Sequence, residues 1–175
     1  MTQMGKKCYN SDANKPPIWI QPILEKKEMF DIDFFHFTDL LDWNRQGNDM
    51  AIVEPLVSFL AQWGDNLIIA FAEKMAELLY RLDTRQIAQK TYTNIEYFSV
   101  DDFLYIRCQA LINGKTLYND IIKGKKRLDK NITFEAILYV PMYAWAKVHN
   151  RTPEEYNYTT KVSYETGSNK DGWKI

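Results

Sequence analysis

Two histidines, two cysteines and scattered carboxylates are the groups from which this 175-residue chain could build reactive chemistry. His36 sits among Phe34, Phe35 and Phe37, and His149 falls at the end of a predicted helix, where a cation complements the dipole. Neither has a second histidine at ligand spacing, so both read as structural. No serine or cysteine lies in a nucleophile elbow, and no glycine-rich loop is laid out for phosphate. No catalytic residue, no metal and no cofactor is therefore expected. Cys8 and Cys108 make neither a zinc pattern nor a disulfide framework, and both read as free thiols in a reducing compartment.

Three charged groupings remain. Asp39 and Asp42 stand three residues apart. Asp101 and Asp102 open a helix, where carboxylates complement the dipole, and Arg107 follows in an apolar stretch. A buried arginine needs a partner, so Arg107 is expected to pair with a carboxylate of a neighbouring helix. The alternative is an anion site, or an enzymatic cleft, built from Asp101, Asp102 and Arg107. The third grouping is basic: Lys123, Lys125, Lys126 and Arg127 within residues 123–130. It could touch phosphates. No aromatic residue is interleaved with it, and the net charge is −1, so the basic field of a nucleic-acid binder is absent.

Aromatic residues make up 14% of the chain, including 11 Tyr and 5 Trp. Tyr and Trp carry an apolar body and a polar tip, which suits interfaces as well as cores. Trp19, Tyr156, Tyr158 and Trp173 lie outside the helical stripes and are the candidate contacts with another protein. For Trp19 the competing reading is that it docks onto its own domain.

The elements that would position these groups are helical. Residues 1–27 read as an extended N-terminal arm, because Pro16, Pro17 and Pro22 oppose helix. The domain spans 28–150. Its first helix is expected from about Asp33 to Asn44, with Asp33 as N-cap. A second runs from about Asn48 to Trp63 and contains Pro55. The third, Asp65 to Leu82, carries a broad apolar stripe of period 3.6 through Leu67, Phe71, Met75, Leu78 and Leu82. A short helix follows Asp83 or Thr84. Ser99 and Asp102 form a capping-box pattern for the next helix, which breaks or bends at Gly114 before Lys115–Ile122. Thr133 is expected to cap a last helix to His149, kinked at Pro141. Residues 151–175 read as an extended tail packed on the domain. Alternation through Tyr158, Thr160, Val162 and Tyr164 suggests a short strand. The fold class is thus all-α: one domain of about six helices with an arm and a tail. The longest apolar stretch, Leu67–Ala72, is too short to span a bilayer. No signal peptide opens the chain, so a cytoplasmic location is expected.

Three stretches stand out by their order and spacing: Leu79-Tyr-Arg-Leu-Asp-Thr84, Asp101-Asp-Phe-Leu-Tyr-Ile-Arg-Cys108 with Gly114-Lys115, and Phe134-Glu-Ala-Ile-Leu-Tyr-Val140 before Tyr143. In these stretches the chain resembles the bacterial family named domain of unknown function 4240, over roughly residues 29–158. The resemblance implies an all-helical bacterial protein and supplies no catalytic residue. Family members are often small stand-alone chains or lie near DNA-linked WGR-type domains. Pro141 and the long arm depart from the family layout. The expected function is a non-enzymatic protein-binding module, such as an immunity or antitoxin-like protein that blocks a toxin. The alternatives are a nucleic-acid-associated module and an enzyme.

Overall fold

The computed structural model of the protein describes residues 15–174 apart from 93, 94, 96 and 97. Among them are eight α-helices and no strand, an all-α fold with more helices than the six expected. Cys8 lies outside the described residues.

The arm is not extended where it is described. Ile18–Ile20 forms a 3₁₀ turn and α1 spans Gln21–Lys26. Pro22 falls in the first turn of α1, where its missing N–H would have had no partner. Ile20 and Ile23 are buried in the core, so these residues belong to the domain. Helix α2, Asp31–Thr38, is shorter than the 33–44 expected. Asp33 is not its N-cap but lies one turn in, accepting a hydrogen bond from the Phe30 amide at 3.0 Å. The Asp42 carboxylate takes the Asn44 amide at 3.2 Å and starts a separate 3₁₀ turn, Trp43–Arg45.

Helix α3, Asp49–Trp63, is capped by Asn48, whose side chain accepts from Ala51 N, and runs through Pro55. Helix α4, Asp65–Leu82, matches its apolar stripe, with Leu67, Phe71, Leu78, Leu79 and Leu82 fully buried. It is the central element and touches α1, α2, α3, α6 and α8. Helix α5, Arg85–Thr91, is capped by Thr84, and α6, Val100–Ile112, by Ser99. Gly114, at a φ of +86°, opens α7, Gly114–Ile122. The left-handed backbone there is the glycine's contribution to the break.

Helix α8, Ala136–His149, packs mainly along α3 and includes Pro141. Thr133 does not cap it, because the chain first sends the Phe134 amide to Tyr105 O at 3.2 Å. A 3₁₀ turn, Pro153–Glu155, leads into the tail. The tail forms no strand and is not extended throughout: bends and turns interrupt it at 161–162, 165–167 and 170–173. Several of its amides and carbonyls meet side chains, while Gly172 O takes the Arg85 amide. No helix among the described residues is long and apolar enough to cross a membrane.

Candidate functional site

At the C-terminal end of helix α4 the intrahelical partners run out, and Tyr80 O takes the Asp83 amide at 3.1 Å. Three side chains from elsewhere meet its last carbonyls. Tyr118 donates to Leu78 O at 2.9 Å, Arg107 to Leu79 O at 2.8 Å, and the Asn169 amide group to Tyr80 O at 3.1 Å. Arg107 is wholly buried in the middle of α6. A cation at this end also meets the negative pole of α4. Its other terminal nitrogen donates to Tyr164 O at 2.9 Å and Thr166 Oγ1 at 3.0 Å. The guanidinium lies 5.1 Å above the Phe103 ring. Burial presses its pKa down, and the nearby Asp83 carboxylate opposes that shift.

Arg107 is thus buried, as expected, but its hydrogen bonds run to carbonyls and a hydroxyl. No carboxylate among the described residues is in ion-pair contact with it. Asp101 and Asp102 are exposed on the first turn of α6, on the far side of the arginine's buried environment. The proposed cleft of Asp101, Asp102 and Arg107 is therefore not assembled. An arginine five residues along a helix points away from the two positions that open it.

The carboxylate that matters here is Asp83, in the joint between α4 and α5 and wholly buried. One oxygen accepts from Gly167 N at 3.0 Å and Trp173 Nε1 at 2.8 Å. The other accepts from Asn169 N at 3.0 Å. Sequence reasoning saw Asp83 only as a possible helix cap, while Thr84 performs the capping. Its position inside one of the resemblance motifs, together with Arg107 inside another, was the available signal.

Asp83 and Arg107 together hold residues 164–173 in a groove. The guanidinium takes one main-chain carbonyl and the carboxylate takes two main-chain amides two residues apart. An aromatic slot takes the indole of Trp173, which stacks on Phe98 at 5.9 Å and meets Phe103 edge-on at 6.2 Å. Gly172 passes so close to Asp83 O that a Cβ would stand 2.9 Å from it, and its carbonyl accepts from Arg85 N. Chemically this is a surface that reads polypeptide backbone plus one aromatic side chain.

The other candidate contacts are also engaged. Trp19 is half-buried, 4.9 Å from the Phe37 ring and stacked on Phe59, so it docks onto its own domain. Tyr156 packs on Trp145, and Tyr158 donates to Glu73. The premise that Trp19, Tyr156, Tyr158 and Trp173 stand free of the core does not hold. The apolar side chains left open are others, notably Ile18, Phe30 and Trp43.

Lys123, Lys125, Lys126 and Arg127 are all exposed. Their loop is nonetheless fixed. Buried Leu128 anchors it, and Gln109 clamps it by donating to Asp129 O and Ile132 O and accepting from Asp129 N, all within 2.9 Å. A hollow of about 380 Å³ beside it is lined by Thr91, Arg127, Asp129 and Lys130 among others. His36 lies against Trp19, and His149 against Asp65 at 3.0 Å. Cys108 is a free thiol, and complete burial pushes its pKa up to about 12. No group of His, Cys, Asp and Glu among the described residues could hold a metal ion.

Comparison with known proteins agrees with the motif resemblance. No curated protein and no solved structure matches the chain. The family described as "Protein of unknown function (DUF4240)" matches over residues 29–164. That span holds both Asp83 and Arg107 and stops where the groove-bound segment begins. The chain belongs to the DUF4240 family.

Proposed function

We propose that the protein is a non-enzymatic protein-binding module of a bacterial cytoplasm, in its most concrete form an immunity or antitoxin-like partner of a toxin. The observation that carries this reading is the Asp83–Arg107 groove. Its two buried charges are matched to main-chain amides and a carbonyl, and its aromatic slot is matched to an indole. Such a surface discriminates polypeptide from other ligands, because buried polar groups left unmatched cost about 1–3 kcal/mol each. The open aromatic side chains of Phe30 and Trp43 offer further contact area.

The test is recovery of partners from native lysate with the wild type and with Trp173→Ala, at low and high salt. Trp173→Ala loosens the tail. A protein partner of the groove is then bound more tightly, and a partner of the tail itself more weakly. A protein held equally by both at either salt binds elsewhere on the surface, which keeps the function and moves the site.

The second reading is a nucleic-acid-associated module. It is favoured by the exposed Lys123, Lys125, Lys126 and Arg127 beside the hollow at Lys130. Recovery of nucleic acid alone, released at high salt, would replace the first reading with this one.

A further inference from the structure

Residues 164–173 are held by more than their main chain. Thr166 Oγ1 accepts from Arg107 at 3.0 Å and donates to Val100 O at 2.6 Å, so the position needs a group that does both, which is a hydroxyl. Gly167, whose amide meets Asp83, has a φ of +83°. A Cβ there would meet nothing, so it is the left-handed backbone that asks for glycine. Asn169 uses both halves of its side chain. Its Nδ2 donates to Tyr80 O at 3.1 Å, and its Oδ1 accepts from Gly172 N at 3.1 Å. A carboxylate in its place has no N–H for Tyr80 and sets a negative charge against that carbonyl. Gly172 is demanded by space instead. A Cβ on it would stand 2.8 Å from Asn169 Nδ2 and 2.9 Å from both Asp83 O and Thr84 Cγ2. Trp173 fills the slot beside Phe98 and gives its indole N–H to Asp83, which a phenylalanine ring has no means to do. Lys170 and Asp171, between these anchors, are exposed.

We propose that the groove selects one sequence pattern, and that its partner is a polypeptide whose bound segment repeats it. The pattern is a hydroxyl residue followed by glycine, asparagine two positions on, and glycine–tryptophan three and four beyond that. This selectivity rests on the protein-binding reading of the groove and adds the sequence that is chosen. Each requirement is set by groups fixed at the end of α4, in the joint to α5, and on α6. A wrong residue leaves a buried polar atom unmatched or forces two atoms into one place, and both count against the wrong ligand. The chain's own residues 164–173 are then the resident competitor. A covalent link raises their effective concentration at the groove, to the order of millimolar for a short flexible connection. A partner's apparent affinity is therefore reduced to the fraction of molecules whose groove stands open.

The test is fluorescence-polarisation titration of the full chain, wild type and Trp173→Ala, with a labelled peptide of residues 163–174. Circular dichroism verifies the fold. Trp173→Phe, which keeps a ring in the slot but loses the bond to Asp83, takes the place of Trp173→Ala should the latter not fold. The peptide is expected to bind the variant at least about tenfold more tightly than wild type, because the resident competitor is weakened. Peptides carrying Asn169→Asp, Gly172→Ala or Trp173→Phe should each bind the variant about tenfold or more weakly than the parent peptide, since each loses a buried hydrogen bond or meets a clash. A peptide carrying both Lys170→Ala and Asp171→Ala should stay within about twofold of the parent, as exposed positions do. Should the three altered peptides bind as well as the parent, the groove reads main chain alone. The selectivity is then wrong while the protein-binding reading stands. A loss as large with the Lys170→Ala, Asp171→Ala peptide would overturn the pattern as well. Equal affinity for wild type and variant would place the peptide outside the groove and overturn it too. No binding to the folded variant would mean that the groove takes no segment in trans, and both readings fall together.

Discussion

Asp83 accepts three N–H groups from residues that lie 84 to 90 positions further along the chain. Charge-assisted hydrogen bonds of this kind contribute about 1.5–3 kcal/mol each. Truncation removes them and also strands Arg107, which is buried and would lose its nearest opposing charge. Asp83→Ala should therefore cost about 3–5 kcal/mol, read by urea denaturation. A loss under about 1 kcal/mol would mean that the tail is held by its own packing. Gln109 offers a second residue-scale case. One amide side chain satisfies three main-chain groups of the 129–132 turn, and Gln109→Ala leaves them without it. The expected loss is about 1–3 kcal/mol, with faster amide exchange confined to the basic loop. At this scale the sequence made half of the site legible. Arg107 had to be buried, because the helix around it is apolar. Its partners were hidden, since carbonyls at a helix end and a distant tail carry no side-chain signature.

The helices that declare themselves are those with a strong local signal. Helix α4 has an uninterrupted stripe, and Asn48, Thr84 and Ser99 cap their helices in the structure as their residue types suggest. Leu78 is wholly buried on that stripe, so Leu78→Ala should cost about 2–5 kcal/mol in the same denaturation assay. Residue type alone misplaced two other starts: Asp33 and Thr133 are plausible caps that the chain does not use. The arm misled for a different reason. Proline opposes a helix interior but not a first turn, and only packing of Ile20 and Ile23 decides between the two. The tail misled because a period of two fits any extended segment, with or without a partner strand.

Helices α2 and α4 are also joined at the surface, where Arg81 holds Asp31 through two hydrogen bonds of 2.7 and 2.9 Å. The Arg81 hydrogen bonds, ahead of its charge and that of Lys74, draw the Asp31 pKa below its ordinary value. A depressed carboxylate stabilises the fold above its unfolded pKa, and that contribution fades as the pH falls through the folded value. Asp31→Asn should thus lower stability at neutral pH, with the gap to wild type narrowing only as the pH falls below the ordinary carboxylate value of about 3.9 and through the depressed folded value. A gap that persists undiminished in acid would assign the effect to packing rather than charge.

For the whole molecule, the groove makes the last described residues a structural component rather than an appendage. A chain ending at Ser163 should unfold at lower denaturant, and a synthetic peptide of residues 163–174 should restore part of the loss in trans. Failure of the peptide to bind would show that the segment requires its covalent link. The same arrangement has a consequence during synthesis. The codons for Asp83 are read some 84 to 90 residues before those of its tail partners, and those for Arg107 some 57 to 59 before its own. At the usual 5–20 residues per second that is an interval of roughly 4–18 s for Asp83. From the addition of Arg107 onward, the nascent chain on the ribosome carries a carboxylate, a guanidinium and an aromatic slot with nothing across them. The emerging polypeptide is open to capture by chaperones, or by any extended peptide nearby, until its own residues 164–173 are translated and close the groove.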